Sequence, residues 1–222
     1  ALVGDLSAFL DAHGLDRVVL VGQDWGAIAA QGVAALRPER VTHLVSLGSY
    51  ALTWSDGDGF PPPAVLQALW YQWLLLTDLG PAVLRFERDA FCGHLWDVWS
   101  PTWDGRRAAF EAVRPSLAGD DFVDVVVSAY RHGRVPTVSD PRYDHLDAAL
   151  AAAPEIPVPA TILLGADDGV ELPSPDDPRD ARFFTDLRER RILPGAGHFP
   201  HREVPEVVAG AVLDAAGVDR VR

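Results

Sequence analysis

Leu2, Val3, Leu6, Phe9 and Leu10 recur at helical spacing, and Gly14 ends the pattern as a helix-terminating glycine does. Arg17–Gly22 (RVVLVG) is a continuous aliphatic run bounded by polar residues and glycine, the pattern of a strand buried on both faces of a parallel sheet. A tight turn, Gln23-Asp24-Trp25-Gly26, leads into the small-residue stretch Ala27–Arg37, which predicts a helix ended by Pro38. Val41–Leu47 (VTHLVSL) reads as the next strand and completes a βαβ unit, the building block of doubly wound sheets. Ala160–Leu164 and Arg191–Leu193 predict two further short strands, and a last helix is expected from about Pro205 to Ala216, opened by its proline.

Residues 51–154 differ in character. Strand patterns vanish, and six tryptophans of the chain's seven lie between Trp54 and Trp103. Chain breakers flank the region: Ser55-Asp56-Gly57-Asp58-Gly59 with Pro61, Pro62 and Pro63 on one side, and Pro154, Pro157 and Pro159 on the other. The expectation is a core built from residues 1–50 and 155–222, with a helical cap of residues 51–154 inserted between them. Trp70, Trp73, Trp96, Trp99 and Trp103 are expected mostly to pack the helical unit, a minority of them lining a pocket. Asp176–Arg182 reads only as a polar connection into a helix.

Composition narrows the classes. At 222 residues, 48% hydrophobic and 23% charged, the chain can bury a sizeable core. Its 19 basic against 32 acidic residues give a net charge of −13, which opposes binding to nucleic acid or to anionic lipid. Cys92 is the single cysteine, so an intramolecular disulfide is excluded and a reducing, cytoplasmic setting is the default. No apolar run reaches the ~18 residues of a membrane span, and no signal-peptide layout opens the chain. The absence of methionine predicts a processed chain or a piece of a longer one.

Three short strings carry chemistry. Gly22-Gln23-Asp24-Trp25-Gly26 has the form of a nucleophile elbow with aspartate in the middle, its glycines letting a strand turn sharply into a helix. Leu164-Gly165-Ala166-Asp167-Asp168-Gly169 places two carboxylates just past a strand's C-terminal end, where open α/β sheets bind ligands. Pro194-Gly195-Ala196-Gly197-His198-Phe199-Pro200 offers a histidine in a glycine-rich loop after the last strand. His13, His43, His94, His132 and His145 sit in polar surroundings with no such setting, and His201 is a neighbour of His198. The order Asp24, acid, His198 is that of nucleophile, acid and base in hydrolases of the doubly wound class. No metal-ligand spacing such as H-E-x-x-H occurs, so no metal site is expected.

The string VGQDWGA (Val21–Ala27), with RPERV (Arg37–Val41) behind it, resembles the α/β-hydrolases that use aspartate as nucleophile, the epoxide hydrolases and haloalkane dehalogenases. The resemblance runs to the C-terminus. It implies an α/β-hydrolase fold, a mostly parallel doubly wound sheet with an inserted cap, and it favours Asp168 over Asp167 as the acid. Tyr71-Gln72 and Tyr130-Arg131 match the epoxide hydrolase pattern, which implies two phenols directed at an epoxide oxygen. The implied reaction opens an epoxide through an ester on Asp24, with the Trp25 backbone N–H holding the oxyanion and His198, oriented by Asp168, activating water. No cofactor is required, and the aromatic region favours a small substrate with an apolar side chain; the oligomeric state stays open.

A dehalogenase would share the ester and use the Trp25 indole for halide instead. The family also carries strands and a His-Gly-x-Pro loop ahead of the elbow strand, and only one helix precedes Arg17. The expectation is therefore a truncated hydrolase, inactive if taken alone.

Overall fold

The structure, a computed structural model, describes residues 1–53, 61–132, 134 and 140–218. Trp54 and the breaker string Ser55–Gly59 lie outside the described residues.

Four strands form one sheet: β1 (Val18–Gln23), β2 (Val41–Leu47), β3 (Ala160–Gly165) and β4 (Leu187–Leu193), in the order β1-β2-β3-β4, with every neighbouring pair parallel. Because all strands run the same way, the loops that follow β1, β3 and β4 emerge on one edge of the sheet, where Asp24, Asp168 and His198 sit. Helices α1 (Leu2–Ala12) and α2 (Trp25–Leu36) pack on each other. Gly32 makes the approach close, since a Cβ there would lie 2.3 Å from a Val3 methyl.

After β2 come α3 (Pro63–Ala68), α4 (Trp70–Leu76), α5 (Leu79–Phe86), α6 (Arg88–Trp99), α7 (Arg106–Val113), α8 (Phe122–Arg131) and α9 (Asp144–Ala151). Then α10 (Pro178–Phe183) joins β3 to β4, and α11 (Pro200–Glu203) and α12 (Pro205–Ala215) end the described chain.

The central strands are covered on both faces. Along β2 and β3, Leu44, Ile162 and Leu164 join the core under α1 and α2, while Val45 and Leu163 point the other way into a second core with Val208 and Ala211 of α12. This is the period-two alternation of a sheet packed on two sides. At the β1 edge the reading of a strand buried on both faces is corrected: Val21 is 45% exposed while Leu20 is buried. β4 starts at Leu187, four residues before the apolar signal, because its charged LRERR segment runs along an edge with little burial.

The helical segment has its own apolar centre of Leu75, Leu84, Phe91, Leu95 and Val127. Trp70 and Trp73 are each 38% exposed, so they do not fill it. Trp96 instead stacks on Phe199 with ring centroids 4.5 Å apart.

The connection at 176–182 is more than a polar link. Asp180 is fully buried; it accepts the Ser49 hydroxyl (3.0 Å), the Tyr50 N–H (2.8 Å) and Arg190 Nε (2.8 Å), tying α10, β4 and the end of β2 together.

Candidate active site

Asp24 stands at the reversal between β1 and α2 with φ 51° and ψ −121°, a backbone state that side chains other than glycine adopt only under constraint. The constraint is local. The Ala27 and Ile28 N–H groups bond the Asp24 carbonyl at 2.9 and 3.2 Å, so the helix begins at once. Gly22 permits it, because a Cβ there would lie 2.4 Å from the Gly26 carbonyl oxygen and 2.7 Å from Ala27 Cα. Gly26 faces open space, so the expectation that both glycines are sterically required holds for Gly22 alone. The Asp24 carboxylate is left 39% exposed at the N-terminus of α2, where the helix dipole favours negative charge.

Asp168 lies buried past β3. Its Oδ1 accepts the N–H groups of Val170 (2.6 Å) and Glu171 (3.1 Å), and its Oδ2 is 3.0 Å from His198 Nδ1. The other nitrogen of His198, Nε2, is 3.4 Å from Asp24 Oδ2. Asp167 turns away and accepts the Thr102 hydroxyl at 2.9 Å. The two loops meet backbone to backbone: a Cβ on Gly165 would lie 2.0 Å from the Gly197 carbonyl oxygen.

His198 is 4% exposed. Burial opposes its positive charge, but hydrogen bonds to Asp168 and Asp24, and the charges of both, outweigh burial and lift the imidazole to about 10. Gln23 pulls the other way. Its Nε2 donates to the His198 carbonyl at 2.9 Å and lies 3.2 Å from Nε2 of the ring, a contact that is a hydrogen bond only when that nitrogen is bare. A third carboxyl belongs to the same cluster. Glu171 accepts the Ser49 N–H at 3.2 Å, and burial, with the Asp168 charge behind it, pushes it up to about 8.

Tyr71 on α4 and Tyr130 on α8 face each other edge to face at 5.7 Å. Tyr130 meets the Trp25 ring edge to face at 5.4 Å. Trp99 lies 5.3 Å from Tyr71 and 5.2 Å from His198, closing a run of aromatics from elbow to histidine; its buried Nε1 has no acceptor among the described residues. Burial raises both phenols, Tyr71 far above the ordinary range and Tyr130 to about 12, and the Asp24 charge adds to each. Both therefore stay protonated at neutral pH. Gln72 donates to the Tyr71 hydroxyl at 3.3 Å and is itself held by Arg134 at 2.9 Å.

The six residues singled out from sequence thus converge. Trp99, named from sequence only as one of five tryptophans of which a minority would line a pocket, belongs to the site, as do Gln23, Ser100, Glu171 and Glu203, which were not foreseen. Gln23 adjoins the elbow aspartate and could have been suspected; the others reach the site through the fold, with no local string to mark them. His43 and His132 bond Thr161 (3.0 Å) and Asp147 (3.2 Å). Among the described residues no group of three or more His, Cys, Asp or Glu side chains is placed to hold a metal ion, and no helix is long and apolar enough to cross a membrane.

Comparison with known proteins agrees with this architecture. A crystal structure of a provisionally named epoxide hydrolase from Klebsiella pneumoniae superposes with a TM-score of 0.88 at 32% identity, over 97% of this chain and 72% of that one. A provisionally named acyltransferase from Salmonella enterica superposes with a TM-score of 0.77 at 17% identity, over 97% of this chain and 69% of its own, and shows the fold alone. Epoxide hydrolase 2 of Siraitia grosvenorii is 49% identical over 51 residues, which span 23% of this chain and 16% of that relative. Residues 1–211 match the alpha/beta hydrolase family. With its parallel sheet, its elbow aspartate and this match over nearly all its length, the chain belongs to the alpha/beta hydrolase family.

Proposed function

We propose that this chain carries the active centre of an epoxide hydrolase, with residues 1–50 and 155–222 as the core and 51–154 as a cap. The observation that carries the reading is the pair of phenols, Tyr71 buried and Tyr130 half-buried, packed edge to face on each other and against Trp25, the neighbour of the carboxylate that reaches His198. Trp25 supports it over dehalogenation, because its ring packs edge to face on Tyr130, with centroids 5.4 Å apart.

The chemistry closes on itself. An Asp24 oxygen attacks an epoxide carbon, a C–O ester bond forms, and the ring C–O bond breaks with its electron pair going to oxygen. Tyr71 and Tyr130 hydrogen-bond that oxygen as charge grows, and one of them gives it a proton. The imidazolium of His198 restores the phenol's proton and becomes neutral. Esterification helps here, since it deletes the Asp24 charge that held the proton on His198, and the Gln23 amide favours the bare Nε2. Neutral His198 then takes a proton from water attacking the ester carbonyl. The Trp25 N–H, at the first turn of α2 where N–H groups lack helical acceptors, holds the oxyanion. Release of the diol returns Asp24 as carboxylate and His198 as imidazolium, so the cycle consumes one water and no net protons. No cofactor enters. The lone cysteine supports a cytoplasmic setting.

The test is intact-mass analysis of the full-length protein carrying His198→Gln, after exposure to styrene oxide and, separately, 1-bromobutane. A gain equal to the whole epoxide, mapped to the peptide with Asp24, is the expected result. An adduct from the bromide alone reassigns the chain to dehalogenation, and no adduct from either refutes the aspartate mechanism.

A further inference from the structure

The segment Val98–Ser100, at the end of α6, enters the catalytic centre as backbone. The Trp99 carbonyl accepts the N–H of Gly169, next to Asp168, and the N–H of His198, both at 3.1 Å. Ser100 is fully buried. Its hydroxyl accepts the His198 N–H at 3.0 Å and donates to Glu203 Oε1 at 2.7 Å. Glu203 also accepts the Gly197 N–H at 2.7 Å and the Phe199 N–H at 2.9 Å. Three successive backbone donors, those of residues 197, 198 and 199, therefore end on Trp99, Ser100 and Glu203.

The fit leaves no room for side chains. A Cβ on Gly169 would lie 1.9 Å from the Val98 carbonyl oxygen, and one on Gly197 would lie 2.6 Å from Ser100 Cα. Capping of α11 by Glu203 accounts for the Phe199 bond alone; it leaves the bonds to Gly197 and to Ser100 unexplained.

We propose that Ser100 and Glu203 are positioning residues that clamp the His198 loop to the docked cap, so that ester hydrolysis depends on the clamp more than ester formation does. The inference rests on the epoxide reading for its two steps. Asp24 and the tyrosines, which serve ester formation, make none of the clamp's bonds. His198, which serves hydrolysis, is held by them at its own N–H and at both neighbours. A shift of a fraction of an ångström at Nε2 is enough to slow a proton transfer steeply.

The experiment uses the full chain with Ser100→Ala, Glu203→Gln and the double variant. The glutamine keeps an acceptor for Ser100 and Phe199 and turns an NH2 toward the Gly197 N–H, breaking one bond. Rapid mixing with styrene oxide and intact-mass detection reads the two steps separately. Ester formation is expected within about threefold of the parent, with hydrolysis slower by about 10- to 100-fold so that the ester accumulates. The double variant should be no worse than the worse single one, as for residues acting as one unit.

Without substrate, the downfield Nδ1 proton of His198 in the 1H NMR spectrum should broaden in both single variants. Parental hydrolysis rates, or an equal fall in both steps with the Nδ1 proton unchanged, overturn the proposal. If the parent and His198→Gln form no ester, the epoxide reading fails, and the NMR signal alone decides the clamp: broadened upholds it and unchanged overturns it. Ser100→Ala removes a single oxygen, so the test stands even where Glu203→Gln fails to fold.

Discussion

Replacing Gly22 by alanine puts a methyl group 2.4 Å from the Gly26 carbonyl oxygen and 2.7 Å from Ala27 Cα. Both obstacles are backbone in the first turn of α2, so neither can rotate aside. Unstrained carbon contacts lie at about 3.5–4.0 Å, so β1 and the start of α2 have to part by about 1 Å. Overpacking of this kind costs about 1–3 kcal/mol, and a site walled by backbone belongs at the upper end. The restricted unfolded chain returns about 0.5 kcal/mol, leaving a net loss of about 2 kcal/mol. Gly26→Ala meets nothing within 4 Å and should stabilise by about 0.5–1 kcal/mol, the ordinary advantage of alanine in a helix. Urea unfolding separates the two: with a slope of about 3 kcal/mol per molar, their midpoints should differ by about 1 M. Ester formation on Asp24 should fall by about 100-fold in Gly22→Ala, since the nucleophile moves with the turn, and be retained in Gly26→Ala. Equal damage from the two substitutions, or a neutral Gly22→Ala, refutes the steric account of the elbow.

Other substitutions probe other links. Asp180→Ala removes the buried acceptor of Arg190 Nε, the Tyr50 N–H and the Ser49 hydroxyl, and should cost about 3 kcal/mol in urea or thermal unfolding, the low end for breaking a buried pair because Arg190 keeps its bonds to the Pro175 and Ser174 carbonyls. Tyr130→Phe should slow ester formation by about 100-fold while leaving ester hydrolysis unchanged, a split read by single-turnover kinetics. Stability should fall with alkali. His198 has a folded value of about 10 against 6.5 unfolded, so its contribution is complete below pH 6.5 and is lost as pH rises toward 10. Glu171, raised from 4.5 to about 8, acts with the same sign over its own, lower window. Urea midpoints measured from pH 6 to pH 10 should therefore decline, and in His198→Gln the later part of that decline should vanish.

Much of the site was legible because its residues sit in short strings whose form follows from local geometry. A strand that must turn at once into a helix needs a residue like Gly22, and the side chain at the tip, Asp24, stands clear of both elements. Asp168 and His198 follow strands β3 and β4, and in a parallel sheet all such loops share one edge. The Asp167–Asp168 choice was not local, because adjacent carboxylates in one turn differ only in what surrounds them: Thr102 takes one and His198 the other. Glu203 was invisible for the same reason. Its partners lie at Gly197, Phe199 and, across 103 residues, Ser100.

By itself the sequence determined the alternation of strands and helices, the helical insertion and the order of the chemical groups, since periodicity and turn chemistry are properties of neighbours along the chain. It did not tell the two faces of β1 apart, because a run of aliphatic residues records strand propensity and not whether both faces are covered: among the described residues Leu20 is buried and Val21 is exposed. It shortened β4, whose charged residues hide a strand that edge position makes tolerable. Only the tertiary structure decided which tryptophans are buried, which carboxyl holds the histidine, and that Trp99 and Ser100 bond directly to the His198 loop. Those outcomes depend on contacts between distant segments, and such contacts exist only once the chain is packed.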